Sequence, residues 1–342
     1  MIIFRTDGNP QIGAGHIMRC LSIANKAKDM GENCLFIVSS DHFQNVITDN
    51  GHIIENLKSD YSRMEPGDIL PALDAYEPST VFVDSYFVTE KYLSDLHAKC
   101  RKIKATLVYV DDRCTSPYSC DFLLNYNIFA GRDDYEKLYS GGENPVFLLG
   151  PSYAPLRKEF QGNDRRIVLQ QVENIFVSTG GADPEHFTID IVEKAAETTK
   201  FAFHFVVGMM NPDRKKIMEM TEEYKNIIVH ENVKRMDELM RSCDVAISAA
   251  GSTLYELCAT QTPSITYVLA DNQIPAAEEF DVREIMKNCG DNRELGNKEL
   301  ASKLVKDAVS LADNYEERER ISQLMGAVVD GNGASRILEQ VL

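Results

Sequence analysis

Short apolar runs alternate along this chain with longer stretches of helical periodicity, and that alternation restricts the fold more than any other feature. Ile2 to Phe4, Cys34 to Val38, Val81 to Val83, Thr106 to Val110, Phe122 to Leu124 and Val146 to Leu149 carry almost no polar side chain. Such runs read as strands buried on both faces, which is the mark of a parallel sheet covered by helices. Between the first two, Gly15 to Met30 sets Ile17, Cys20, Leu21, Ala24 and Ala27 at helical spacing, with Gly31 placed to end the helix. The turn-rich Gly150 to Pro155 and the polar Arg157 to Arg166 then interrupt the pattern. It restarts with Asn174 to Val177, Phe203 to Val207, Ile227 to Val229, Val245 to Ser248 and Ser264 to Val268.

The 342 residues suit two domains at roughly 150 residues each. We expect an α/β fold of two doubly wound, Rossmann-like domains facing a central cleft, with ligands beyond the carboxyl ends of the strands. The first domain covers residues 1–155 and the second 156–315, with the boundary near 150–165. Residues 316–342 form a helical segment that closes the chain and returns toward the first domain.

Charge narrows the partners. The chain has 53 acidic against 36 basic residues, a formal net charge of −17. That argues against nucleic acid and against stable attachment to an anionic membrane, both of which need a Lys/Arg surface. A phosphorylated ligand stays open, because amides at a helix N-terminus bind phosphate without net positive charge. No run nears the roughly 18 apolar residues of a membrane span, and the first residues reach Arg5 and Asp7 too soon for a secretory signal. The 8 cysteines include no CxxC pair, so reduced thiols in the cytoplasm are expected rather than a disulfide scaffold or a zinc cage. His42, His52, His97, His186, His204 and His230 show no HxxxH or HxH spacing, so neither a metal nor another cofactor is expected.

Chemistry concentrates where strands end. Arg5 to His16 joins the first strand to the first helix; Gly13 and Gly15 allow close backbone approach, and His16 falls in the first helical turn. There the positive end of the helix dipole disfavours imidazolium and suits a neutral base. The same residues also fit a tight turn with a surface histidine, and no Lys-Ser/Thr follows to make a P-loop. Ser248 to Glu256 likewise follows a strand and opens a helix. Gly251, Ser252 and Thr253 can aim amides and hydroxyls at a diphosphate, with Glu256 one turn in, in reach of ribose hydroxyls. A capping box with Ser252 or Thr253 as cap and Glu256 as partner is the alternative.

Gly180 and Gly181, in the segment Ser178 to Asp183, occupy the equivalent place at the start of the second domain; they fit a phosphate-covering loop or a plain turn. Asn272 and Gln273 follow the next strand, where their amides can bond a sugar or simply face solvent. Asp84 to Tyr86 and Asp111 to Arg113 end first-domain strands and fit helix capping or solvated turns.

Taken in order, these segments resemble one family. Arg5-Thr6-Asp7, Gln11 to His16, Val83-Asp84, Val110-Asp111-Asp112, Leu124-Asn125, Gly150 to Arg157, Gly180 to Asp183, Ala250 to Glu256 and Asn272-Gln273 are similar to the UDP-sugar hydrolases of pseudaminic acid biosynthesis, the PseG family. The resemblance covers nearly the whole chain. It implies a GT-B fold, shared with the glycosyltransferase that builds lipid II, and removal of UDP from UDP-2,4-diacetamido-2,4,6-trideoxy-β-L-altropyranose. It implies that His16 positions or deprotonates the attacking water, and that Tyr86 and Asn272 line the substrate pocket, with Gln273 continuing the sugar-side loop. Gly251, Ser252 and Thr253 would form the pyrophosphate site and Glu256 the ribose carboxylate. The expected reaction is metal-independent hydrolysis at the anomeric carbon with inversion. A GT-B glycosyltransferase using the same donor, and a nucleotide-sugar binding protein without turnover, are the competing readings.

Overall fold

The computed structural model describes residues 1–142, 144–162 and 165–342. Residues 163 and 164, inside the expected boundary segment, lie outside the described residues. The chain forms two compact units, Met1–Lys158 with Asn332–Leu342, and Glu159–Gly331.

The first unit holds a seven-stranded parallel sheet made of β1 (Ile2–Thr6), β2 (Cys34–Val38), β3 (Ile53–Asn56), β4 (Thr80–Asp84), β5 (Thr106–Val110), β6 (Phe122–Asn125) and β7 (Val146–Leu149). Their order is β3-β2-β1-β4-β5-β6-β7. The chain therefore winds outward one way from β1 and then the other way from β4. The crevice at the carboxyl ends of β1 and β4 is the switch point, where such sheets hold ligands. Thr6 pairs in register with Asp84 at that point.

Burial explains why the strands form. Every residue of β1, β2 and β4 is buried, so each side chain adds to a core on one face or the other. On one face Phe36, Phe4 and Phe82 stack across three strands, with ring centroids 5.0 and 4.9 Å apart. Such pairs contribute about 0.5–1.5 kcal/mol each beyond the area they bury. On the opposite face Ile3, Leu35, Val81, Val83, Leu96 and Leu107 belong to one cluster.

His52, beside Phe36, donates from Nε2 to Asn25 Oδ1 at 2.8 Å. Burial, with help from Lys28, lowers its pKa from 6.5 to about 4. The unfolded chain thus binds a proton that the folded chain refuses, and stability is lost as pH falls through that window. His52→Gln should make the loss between pH 6.5 and 4 shallower by about 1–3 kcal/mol in denaturant titrations. An unchanged slope would mean that His52 is protonated in the fold.

The second unit repeats the plan with β8 (Asn174–Ser178), β9 (Ala202–Val206), β10 (Ile227–His230), β11 (Val245–Ala249), β12 (Ser264–Val268) and β13 (Lys287–Asp291). The order β10-β9-β8-β11-β12-β13 puts its switch point at the ends of β8 and β11.

The stretch expected as one closing helix from 316 is two. Tyr315–Gly326 stays with the second unit and Gly333–Val341 with the first. Gly331, at φ +77°, lies in the non-helical stretch between them, where a left-handed backbone cannot carry a helix. The last helix packs on α1 (Gly15–Asp29). Gly333 meets the Ala154 and Tyr153 backbone so closely that no Cβ would fit, and Arg336 donates to the Ser152 carbonyl at 2.8 Å.

Candidate active site

In the first unit hydrogen bonds brace the connection from β1 to α1. Asn9 Oδ1 accepts from the Gln11 and Ile12 amides at 2.9 and 3.0 Å, and Gly13 donates to the Asn9 carbonyl at 2.8 Å. Gly13 has φ +78°, a conformation that costs other residues strain, which accounts for glycine there on backbone grounds alone. Gly15 is the exposed first residue of α1. Below the loop, buried Arg5 and Asp7 pair at 2.5 Å, and Asp7 also accepts from the Ser39 amide at 2.6 Å.

His16 is 4% exposed, not a surface residue, and its Nδ1 lies 2.5 Å from Asp84 Oδ1. Asp84, at the end of β4, is fully buried and holds a second partner. Arg19, one helical turn beyond His16, donates to it through Nε at 2.6 Å and Nη2 at 2.5 Å. The other arm of Arg19 donates to both oxygens of Asp112 at 3.0 and 2.9 Å and to the Tyr126 hydroxyl at 3.2 Å. Asp112 accepts further hydrogen bonds from Tyr86 at 3.0 Å and Asn127 at 3.0 Å. The ends of β4, β5 and β6 and one face of α1 thus join in a single buried polar cluster.

Electrostatics fixes its charges. Burial alone would raise the Asp84 carboxyl, but Arg19 and His16 hold it well below the usual carboxylate range. Burial works against the Arg19 charge, and Asp112 and Asp84 outweigh it, so the guanidinium stays protonated. Burial and Asp112 push the Tyr86 hydroxyl up, and burial takes Tyr126 to about 12. Asp84 and Asp112 are therefore not the capping or solvated residues that their positions also allowed. Asp111 is not solvated either: 1% exposed, it accepts from the Arg113 and Cys114 amides at 2.8 and 3.1 Å and from the Tyr135 hydroxyl at 2.8 Å.

Tyr86 meets His16 edge-on at 4.4 Å between centroids, and the Arg113 guanidinium lies over the Tyr86 ring at 4.6 Å. Its hydroxyl donates to Asp112, so what Tyr86 offers a ligand is an aromatic edge or face. Sequence reasoning missed Arg19. The signal was present, since an arginine three residues after a first-turn histidine shares its helix face.

In the second unit the glycine clusters come together. Gly180 and Gly181 follow β8, and Gly251 to Glu256 follow β11 at the same switch point. Gly180 has φ +91°. Gly208, after β9, packs directly on the Gly181 backbone and has no room for a Cβ. Asp183 steadies the loop, accepting from the Phe187 and Thr188 amides at 3.0 and 2.9 Å.

The helix Thr253–Thr260 has Ser252 at its N-cap with no side-chain capping bond, so the Ser252 hydroxyl is not closing a capping box. Around it Gly251 donates to the Ala249 carbonyl at 2.8 Å, Leu254 to Gly251 at 3.1 Å and Tyr255 to Ser252 at 3.1 Å, so the Ser252 and Thr253 amides, and not that of Gly251, are the ones this helix start can offer. Thr253 and Glu256 lie half-buried in that turn, behind half-buried Gly251. Asn272 and Gln273 sit in the short turn Asp271–Gln273. Asn272 is exposed, whereas Gln273 turns its Oε1 to the Leu269 amide at 2.9 Å and braces its own loop.

Among the described residues no group of three or more His, Cys, Asp or Glu side chains could hold a metal ion. Nor is any described helix long and apolar enough to cross a membrane.

Residues 169–328 match the model of the glycosyltransferase family 28 C-terminal domain. The chain is 25% identical over 281 residues to an uncharacterized protein of Methanocaldococcus jannaschii, a match covering 79% of this chain and 55% of that one. It thus spans little more than half of that relative's length. It is 26% identical over 260 residues to the UDP-2,4-diacetamido-2,4,6-trideoxy-beta-L-altropyranose hydrolase of Campylobacter jejuni, covering 75% of this chain and 86% of the relative. Among solved structures, MurG of Acinetobacter baumannii superimposes with a TM-score of 0.65 over 99% of both chains at 10% identity. The fold is therefore of the GT-B type.

Proposed function

We propose that this protein is a hydrolase that releases UDP from a UDP-activated deoxy-diacetamido sugar, by water attack at the anomeric carbon with inversion and without a metal. The observation that carries the reading is the hydrogen bond from His16 Nδ1 to Asp84. It leaves Nε2 as the ring nitrogen able to accept a proton. The Campylobacter relative's name supplies the substrate class.

In this mechanism the water oxygen bonds to the anomeric carbon and passes a proton to His16 Nε2. The carbon–oxygen bond to the β-phosphate breaks, and its electron pair leaves on UDP. General-base help of this kind contributes about 10²–10⁴-fold. The charge that develops on UDP is met by the loop amides of Ser252 and Thr253 and by the dipole of the helix that follows, while Gly251, whose own amide donates to the Ala249 carbonyl at 2.8 Å, leaves room for the phosphates that Gly180 and Gly181 cover. Glu256 accepts the ribose hydroxyls. Tyr86, Asn272 and Gln273 line the sugar, Tyr86 through its ring and Gln273 through the amide nitrogen left after its loop contact. Gly13 and Gly15 let the substrate approach the backbone before His16.

A glycosyltransferase would use the same base on an acceptor hydroxyl, and the family 28 match over residues 169–328 favours that second reading. Incubating the protein with a panel of UDP-sugars, with and without acceptors and with chelator, separates the two. Hydrolysis predicts UDP release from the diacetamido sugar without acceptor and unaffected by chelator. Release only when an acceptor is present would assign a transferase, and no release at all a binding protein.

The nucleotide half has its own test. Glu256→Ala should weaken UDP binding by about 1.5–3 kcal/mol, the scale of hydrogen bonds to a charged group. The loss should be much smaller for a UDP analogue lacking both ribose hydroxyls. Equal losses for the two ligands, read by calorimetry, would reduce Glu256 to a helix-terminus residue.

A further inference from the structure

We propose that Asp84, Arg19 and Asp112 are positioning residues that set the tautomer and the charge balance of His16; this rests on the hydrolase reading above. The tautomer follows from donor and acceptor counting. His16 Nδ1 lies 2.5 Å from Asp84 Oδ1 and 3.0 Å from Arg19 Nη2. Arg19 has no acceptor to offer, and the Asp84 carboxylate has no donor. Were Nδ1 bare, its lone pair would face an ionised oxygen at hydrogen-bond distance. Nδ1 therefore carries the proton and donates to Asp84, while Arg19 Nη2 donates to the same oxygen at 2.5 Å. Cys20 Sγ, at 3.4 Å from the other oxygen, completes the shell of Asp84.

The charge balance follows from the remaining partners. Two carboxylates, Asp84 and Asp112, share the one guanidinium of Arg19. The other charged groups facing His16 are the buried Arg5–Asp7 pair, which cancels itself, and exposed Arg113 beyond the Tyr86 ring. Tyr86, Tyr126, Cys20 and Asn127 are uncharged. The His16–Arg19–Asp84–Asp112 cluster thus holds one negative charge in excess while His16 is neutral, and none once His16 is imidazolium. A base taking a proton from water completes it.

Arg19 has a second duty. Its fork holds Asp84 ionised, so a proton gained at Nε2 stays on the imidazole and is not passed through Nδ1 to the carboxylate. Asp112 touches neither the ring nor the reacting atoms; it acts through Arg19 and through Tyr86, from whose hydroxyl it accepts a hydrogen bond at 3.0 Å.

The assignment has two independent readouts. In full-length protein labelled with 15N in its imidazoles, neutral His16 should show a protonated Nδ1 and an unprotonated Nε2. Neutral His16 carrying its proton on Nε2 would overturn the proposal, and this arm needs no turnover. If the wild-type protein releases no UDP, the hydrolase reading fails while the tautomer still decides the positioning claim.

The second arm is kinetic. Asp84→Asn should lower kcat by about 10²-fold or more with KM and UDP affinity within a few-fold, and should release the tautomer. Asp112→Asn should keep the tautomer but move the acidic limb of the pH–rate profile to lower pH by about half a unit or more, since it removes the surplus negative charge. Asp112→Glu should restore the limb. A limb that stays in place in folded Asp112→Asn would reduce Asp112 to a structural residue and overturn its part in the proposal, whether or not Asp84→Asn folds.

Discussion

Replacing His16 by alanine or phenylalanine should cut turnover by about two orders of magnitude or more and leave UDP affinity within a few-fold. The argument is one of separate duties. His16 belongs to the first unit and is proposed to act on water at the anomeric carbon, whereas the nucleotide is assigned to Gly251–Glu256 of the second. A residue that touches only the reacting centre changes the barrier and not ground-state binding. Phenylalanine keeps a ring against Tyr86, where His16 packs edge-on at 4.4 Å. Its failure would therefore show that the ring nitrogens matter and not the packing. In the proposed mechanism both nitrogens have work to do: Nδ1 is tied to Asp84, and Nε2 would take the proton. Near-normal turnover in His16→Ala, or a parallel collapse of UDP binding in a folded variant, would move the base elsewhere.

The largest effect on stability should come from Arg19→Met. Methionine fills much of the volume but leaves Asp84 and Asp112 without the guanidinium that both share. Breaking a buried ion pair from one side typically costs about 3–5 kcal/mol, because the stranded charge is uncompensated.

The sign of the pH dependence checks the cause. In the wild-type protein Asp84 is held below the usual carboxylate range, so its contribution is complete above that range and is lost as pH falls through it. In Arg19→Met burial acts on Asp84 with less opposition, and protonating it relieves the stranded charge. The deficit measured by urea unfolding should therefore shrink as pH is lowered from 7 toward about 4. A deficit independent of pH would trace the loss to packing around the side chain and not to its charge.

The sequence was most legible where burial is most complete. The apolar runs at Cys34–Val38, Thr106–Val110 and Ser264–Val268 are strands over those same residues. Each sits in a parallel sheet, where one run of apolar side chains must serve two faces. The two strands that escaped notice, β3 and β13, are edges, although the other two edges, β7 and β10, were legible. β3 leaves Ile53 45% exposed, and β13 reads Lys-Asn-Cys-Gly-Asp with only Cys289 buried. An edge strand needs half the apolar cover, so its composition resembles a loop.

The candidate site divides along similar lines. His16 and the glycine clusters announce themselves locally, because each is a short motif at a strand end. Asp84, Asp112 and Arg19 do not, since their partners are 65 and 93 residues apart in the chain. Only the order β1-β4-β5 brings them together. Arg19 was hidden further by its place within the buried face of α1, where a charged residue contradicts the apolar stripe unless its partners are known. Gln273 illustrates the converse: its type suited a sugar contact, but its oxygen is committed to the Leu269 amide.

The most direct test of the account is to run the reaction in ¹⁸O-labelled water with the UDP-diacetamido sugar and no acceptor, following both products by NMR and mass spectrometry. Attack by water at the anomeric carbon predicts the label on the anomeric hydroxyl of the sugar, the first-formed anomer inverted relative to the donor, and unlabelled UDP. Label in the β-phosphate of UDP, or retention of configuration in the first-formed sugar, would contradict it.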